Sequence, residues 1–164
     1  GDSTGAAIGV AAVRGCVPGG SGSPRRPATG AGVWARCGAN WAVAAAAAAG
    51  IPLTRRLTAR RGQFVTGHDV SGALPDDLNL TALADSQATT VVFMGKRTFP
   101  LLAEALHSRG LPLDTPALMA ESVSTPDQKL TRATIGALAE QLKSEIGTAP
   151  ALILYGPLAE CEDD

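Results

Sequence analysis

The run Thr89–Met94, Thr-Thr-Val-Val-Phe-Met, constrains this chain more than any other part of it. It is β-branched and apolar at successive positions, so both faces of the strand it forms must be covered. Such a strand belongs inside a sheet that carries a layer on each side. Around it, short apolar strands alternate with segments of helical period. Gln63–Thr66 reads as a strand ended by Gly67, and Ala151–Tyr155 as a second buried strand ended by Gly156. Ala117–Ala120 is a short strand, and Lys129–Thr134 alternates enough to be half-exposed. Asn40 is placed to N-cap a helix through Ala49, with Gly50 as its stop. Leu80–Ala84 is a brief helix. Thr98 is placed to cap a helix over Phe99–Arg109, with Leu102 and Leu106 on one face and Gly110 beyond its end. Ile135, Leu138, Leu142 and Ile146 form one stripe of a last helix closed by Gly147. This order predicts the α/β class, with helices flanking a mixed or mostly parallel sheet.

The pattern begins only near Ala39. Residues 3–36 are almost entirely Gly, Ala, Arg, Pro, Ser, Thr and Val, with no Leu, no acid and one aromatic, Trp34. Neither a helical nor a strand period is sustained there. Two readings stand open: an irregular or disordered linker, or GC-rich coding sequence read out of frame. The chain opens on Gly1 rather than Met, and so reads as a fragment or a processed product.

The formal net charge of −1 conceals an asymmetry. Residues 3–68 hold eight Arg and no Asp, Glu or Lys, whereas residues 69–164 hold fourteen acids against six bases. Half of the early arginines, Arg55, Arg56, Arg60 and Arg61, crowd one turn. That turn could face a polyanion through bidentate guanidinium pairs, or be a solvated charged surface. Nucleic acid is the weaker reading, since Phe64 is the one aromatic nearby. Cys16, Cys37 and Cys161 are far apart and form no Cys/His cluster, which argues against a zinc site and a disulfide framework and favours the cytoplasm. The longest apolar run, Trp41–Ala49, is too short to span a bilayer.

No nucleophile–base or metal-ligating constellation can be built from spacing, so no catalytic residue is named. His107 reads as a surface residue of its helix. His68 follows a strand and a glycine, and Met94-Gly95 ends another strand. In open α/β sheets the carboxyl ends of strands face ligands. A hydrogen-bonded structural histidine and a core methionine before a turn are the alternatives.

Several strings together resemble one family, the uroporphyrinogen-III C-methyltransferases among the tetrapyrrole methylases. They are Gly50-Ile51-Pro52-Leu53-Thr54-Arg55-Arg56, Phe64-Val65-Thr66-Gly67-His68 and Val91-Val92-Phe93-Met94-Gly95, followed by Gly110-Leu111-Pro112, Thr115-Pro116 and Glu121-Ser122-Val123-Ser124. The likeness spans about residues 38–158. It implies two α/β domains closing on S-adenosylmethionine, with residues 38–56 the last helix and linker of the first domain and 57–158 the second. Residues 1–37 are then atypical of the family, and 159–164 an acidic tail. It implies cofactor contacts at Gly1, Asp2, Asn40, Trp41, Met94 and Val123, and substrate contacts at Arg56 and His68. Asn40 and Trp41 stand where the family has Thr and Ala, and Arg55 where it has His. The family's acid/base residues are expected upstream of Gly1.

The implied reaction methylates two pyrrole carbons of uroporphyrinogen III to give precorrin-2, on the way to sirohaem or cobalamin. A homodimer is implied by the same analogy, and no nucleic-acid or membrane partner. Another precorrin methyltransferase, or a non-catalytic remnant of such an enzyme, are the competing expectations.

Overall fold

The computed structural model describes residues 38–159, with side chains from Trp41 onward. The expectations for residues 1–37, Gly1 and Asp2 among them, and for the tail at 160–164 lie outside the described residues. Helix α1 (Gly38–Ala48) is followed by β1 (Arg61–Thr66), α2 (Leu80–Leu83), β2 (Ala88–Phe93) and α3 (Phe99–Ser108). Then come β3 (Pro116–Glu121), β4 (Lys129–Thr134), α4 (Ile135–Ser144) and β5 (Ala151–Tyr155). The strands form one sheet in the order β1-β2-β5-β3-β4. β1 pairs with β2 in parallel, and the other neighbours are antiparallel, so the sheet is mixed. The last strand among the described residues therefore fills the middle of the sheet.

The alternation of side chains across each strand divides the core into two layers. Val92, Met119, Ile153 and Tyr155 point to the side covered by α2, α3 and α4, where they meet Leu83, Phe99, Leu102, Leu106, Leu138 and Leu142. Val91, Leu118, Leu152 and Leu154 point to the other side, where Ala42, Ala45, Ala46 and Ala49 of α1 lie on them. Small side chains let this helix sit close to the sheet. Tyr155 keeps its hydroxyl satisfied by donating to the Leu83 carbonyl at 2.9 Å, and burial pushes its pKa up. Toward the β1 edge the α1 side is less covered, and the Phe64 and Phe93 rings stack there with centroids 6.2 Å apart.

Arg132 on β4 ties this second layer down. Its guanidinium donates to the Ala49 carbonyl at the end of α1 and to the Ala159 carbonyl at 3.1 Å. Both α1 and α3 stop in the same way. Gly50 (φ 68°) and Gly110 (φ 96°) take the left-handed conformation that glycine adopts without steric cost. Their N–H groups bond the Ala47 and His107 carbonyls, and the following Ile51 and Leu111 N–H groups reach back to Ala46 and Leu106.

Four local expectations are corrected. Helix α1 begins at Gly38, so Asn40 lies in its first turn and is not its cap. Thr98 makes no side-chain cap on α3: its backbone is already helical (φ −95°, ψ −12°), and its hydroxyl is directed at the Gly67 carbonyl, to which it donates. Helix α4 ends at Ser144 with Glu145 extended. Ile146 therefore leaves the apolar stripe, and Gly147 (φ 63°) turns the loop beyond the helix instead of closing it.

Because alanines set the separation of α1 from the sheet, Ala45→Leu is expected to destabilise the protein by about 1–3 kcal/mol. Urea denaturation monitored by circular dichroism measures this. The exposed Val43→Leu is expected to change stability by less than about 0.5 kcal/mol.

Candidate functional site

β1 and β2 run in parallel and end together, and β5 begins beside them because it is antiparallel to β2. Loops leaving β1 and β2 and entering β5 therefore gather at one end of the sheet. They enclose a cleft of about 630 Å3 whose walls are His68–Gly72, the Met94–Arg97 turn and Ile146–Ala151, with Trp41 of α1 at one side.

The two strand tips are locked together. The Gly67 N–H donates to the Phe93 carbonyl at 2.7 Å, carrying the ladder one residue beyond β1. A Cβ on Gly67 would lie 2.6 Å from the Gly95 Cα, so the backbones approach more closely than any side chain permits. Thr98 closes the junction: its hydroxyl donates to the Gly67 carbonyl, with the Gly95 carbonyl 3.3 Å away.

On this junction stands Met94. Its φ is 52°, and its side chain is 59% exposed at the cleft. A left-handed conformation costs a non-glycine residue roughly 1–2 kcal/mol. Among the described residues, Ser122 and Ser124 are the other non-glycine positions of this kind, and both follow β3 at the same end of the sheet. Local strain of this sort gathers where a fold presents groups to a ligand. Beside Met94, His68 lines the cleft and its Nδ1 is buried with no partner among the described residues. A buried nitrogen without a protein partner calls for a polar partner such as water or a ligand atom.

The neighbouring Asp69 has a different task. Its carboxylate accepts from the Ser71 hydroxyl (2.6 Å), the Ser71 N–H (2.7 Å) and the Ala73 N–H (3.0 Å). The Ser71 hydroxyl, then the Ala73 N–H, hold its pKa below the ordinary value. It therefore folds the loop as an anion, and that bracing is lost as pH falls through the folded pKa. Lys96 is likewise occupied. Its Nζ lies 2.7 Å from Glu121 Oε1 and 3.2 Å from the Ala149 carbonyl, with both side chains nearly buried, at 11% and 13% exposure. It thus ties the ends of β2 and β3 to the loop before β5.

The residues expected at a site divide accordingly. His68, Met94 and Trp41 meet at the cleft. Asn40 lies next to Trp41 in the first turn of α1. Val123 does not line the cleft: its side chain is buried in the α1 layer between the two left-handed serines. Arg56 is not brought to the cleft. It lies before β1, in the turn closed by the Arg55–Ala59 bridge, with its carbonyl accepting from Arg60 Nε at 2.7 Å. The six residues of β1 separate that turn from His68, about 20 Å at 3.3 Å per residue. Lys96, Arg97 and Ile146 are cleft residues that sequence reasoning did not single out. The signal available for the first two was their place directly after the Met94-Gly95 strand end.

Comparison with known proteins bears on this arrangement. The family model of the Tetrapyrrole (Corrin/Porphyrin) Methylases matches residues 33–139. The chain is 39% identical over 115 residues to the S-adenosyl-L-methionine-dependent uroporphyrinogen III methyltransferase, chloroplastic, of Arabidopsis thaliana, covering 70% of this chain and 31% of that protein. It is 42% identical over 115 residues to a siroheme synthase of Neisseria meningitidis serogroup C, covering 70% of this chain and 23% of that one. The uroporphyrin-III C-methyl transferase from Thermus thermophilus, solved with S-adenyl homocysteine, is similar at a TM-score of 0.56 and 33% identity, over 68% of this chain and 48% of that one. A cobalt precorrin-4 methyltransferase shares the fold at a TM-score of 0.63 and 24% identity, over 73% of this chain and 49% of that one. The chain thus spans between about a quarter and a third of the length of these two curated relatives.

The strain at Met94 has a measurable signature. Met94→Gly is expected to be at least as stable as the parent, since glycine relieves the left-handed strain. Met94→Val is expected to be less stable by about 1–2 kcal/mol, since a β-branched residue resists that conformation. Urea midpoints of the three proteins test this.

Proposed function

The chain belongs to the tetrapyrrole methylase family, and from that membership we propose that it forms the closing part of a methyltransferase that acts on uroporphyrinogen III. In this reading residues 38–56 end a first domain, residues 57–158 form the second, and the product is precorrin-2. The observation that carries it is the exposed Met94 on a strained strand tip beside the orphaned His68 Nδ1, in one cleft. Identities of 39% to a protein named for uroporphyrinogen III methylation and 33% to a solved uroporphyrin-III methyl transferase support this acceptor over other precorrins.

The residues present fit S-adenosylmethionine. A cleft of about 630 Å3 is of small-molecule size, and it combines apolar surface at Met94, Trp41 and Ile146 with polar backbone of the loops around it. Met94 and Trp41 line the cleft and would hold the cofactor, and, although Val123 does not itself line the cleft, the same reading assigns Asn40, Val123, Gly1 and Asp2 to it. When bound, it supplies a methyl group already activated on a sulfonium. What the chain has to contribute is alignment and exclusion of water, because pyrrole carbons of a porphyrinogen are themselves nucleophilic. The fused Gly67–Gly95 junction gives that alignment a rigid base. His68 offers a hydrogen-bonding nitrogen to the tetrapyrrole, and Asp69, held in its loop by three hydrogen bonds, is not free to act as a base. The same reading places the enzyme in the cytoplasm as a homodimer.

Calorimetric titration of this chain with S-adenosylhomocysteine tests the proposal. Saturable binding is expected, weakened about tenfold in Met94→Ala, the equivalent of about 1.4 kcal/mol of lost apolar contact. Absence of heat at about 1 mM ligand, or an unchanged affinity in Met94→Ala, would overturn it.

A further inference from the structure

Four ionisable side chains line the cleft: His68, Asp69, Lys96 and Arg97. Asp69 is used by its own loop, and the Lys96 ammonium is used by Glu121 and Ala149. Arg97 differs. It is exposed, lies on the cleft wall, and makes no hydrogen bond or ion pair among the described residues. Elsewhere Arg61 pairs with Asp85, Arg109 bonds Thr81, and Arg132 bonds two carbonyls.

The backbone that carries Arg97 is unusually well anchored. The residue before it is tied to Glu121 and to the Ala149 carbonyl, and the residue after it is tied to the Gly67 carbonyl. A long flexible cation thus projects from a fixed base, which lowers the ordering cost of engaging a ligand. Next to it the cleft presents apolar groups, Met94, Val70 and Ile146, all exposed. Exposed apolar groups with one unpaired guanidinium beside them complement a macrocycle that bears carboxylates on its periphery.

We infer that Arg97 is the carboxylate-reading, specificity-determining residue of the cleft, and that Lys96 is a positioning residue that holds it in place. The inference rests on the tetrapyrrole reading given above and assigns the anion contact to this arginine, not to the Arg55–Arg61 turn at the far end of β1. Guanidinium matches carboxylate geometry bidentately, which an ammonium cannot reproduce.

The test compares the chain with Arg97→Gln, Arg97→Lys, Lys96→Met and, as a control for charge alone, Arg56→Gln. Each is titrated with S-adenosylhomocysteine by calorimetry, and with uroporphyrin III, a stable octacarboxylate, by porphyrin fluorescence. Arg97→Gln is expected to weaken uroporphyrin III by about tenfold, with S-adenosylhomocysteine affinity unchanged within twofold. Arg97→Lys should recover only part of the loss, and Arg56→Gln should match the parent. Coproporphyrin III, a tetracarboxylate, should lose less than uroporphyrin III in Arg97→Gln. Lys96→Met should weaken uroporphyrin III selectively and by less than Arg97→Gln does, with S-adenosylhomocysteine affinity unchanged within twofold. Unchanged uroporphyrin III affinity in Arg97→Gln, an equal loss in Arg56→Gln, or a selective porphyrin loss confined to Lys96→Met would overturn the inference. So would a parent chain that binds S-adenosylhomocysteine but not uroporphyrin III, an outcome that leaves the methyltransferase reading standing. A parent chain that binds neither ligand removes both.

Discussion

The close approach of Gly67 to Gly95 is the contact on which the cleft depends. Two strand ends that lacked this junction would splay, since no side chain fits between their backbones. The Thr98 hydroxyl then joins the start of α3 to the same point, so one helix and two strands converge on a single small region. Met94 gains its exposed, strained posture because the residues around it cannot move to relieve it. The energy for holding that posture comes from the buried layer behind it, where Val92 and Phe99 are fully enclosed.

The two faces of the sheet are covered by different means. One carries α3 and α4, with large side chains from both helices meeting the strands. The other carries an alanine helix, whose contribution comes from closeness rather than volume. Arg132 compensates for the modest area by gripping the helix end through its last carbonyl. Trp41 and Ile51 belong to that layer, so the edge of the cleft and the seating of α1 are mechanically one feature.

Much of the fold was legible in the residues. β2 and β5 announce themselves because doubly buried strands must be apolar throughout, and α3 and α4 because their leucines recur with helical period. What was not legible depends on distant partners. The order of the strands is set by packing between segments far apart in sequence, and nothing local says that β5 goes to the middle. Thr98 has the chemistry of a helix cap, but its hydroxyl is turned away from the helix N–H groups to donate to a carbonyl at the end of another strand. Ile146 continues an apolar stripe by arithmetic after the helix has already stopped at Ser144. The basic turn at Arg55–Arg61 was conspicuous, yet only the direction of β1 reveals that it lies at the wrong end of the sheet. His68 and Met94 share one cleft because both follow strands that finish at the same end of the sheet, and Trp41 reaches it from the first helix. Lys96 was missed because its partner, Glu121, is twenty-five residues away.

The central seat of β5 also governs how the molecule is made. During synthesis β1 and β2 can pair, and β3 and β4 can form a hairpin, but these two pieces share no ladder until Ala151–Tyr155 emerges and slides between β2 and β3. β5 must therefore emerge before the nascent sheet becomes continuous, and the half-made edges of β2 and β3 stay open to mispairing until then. For this topology, the hazardous interval of biogenesis lasts until that one strand arrives.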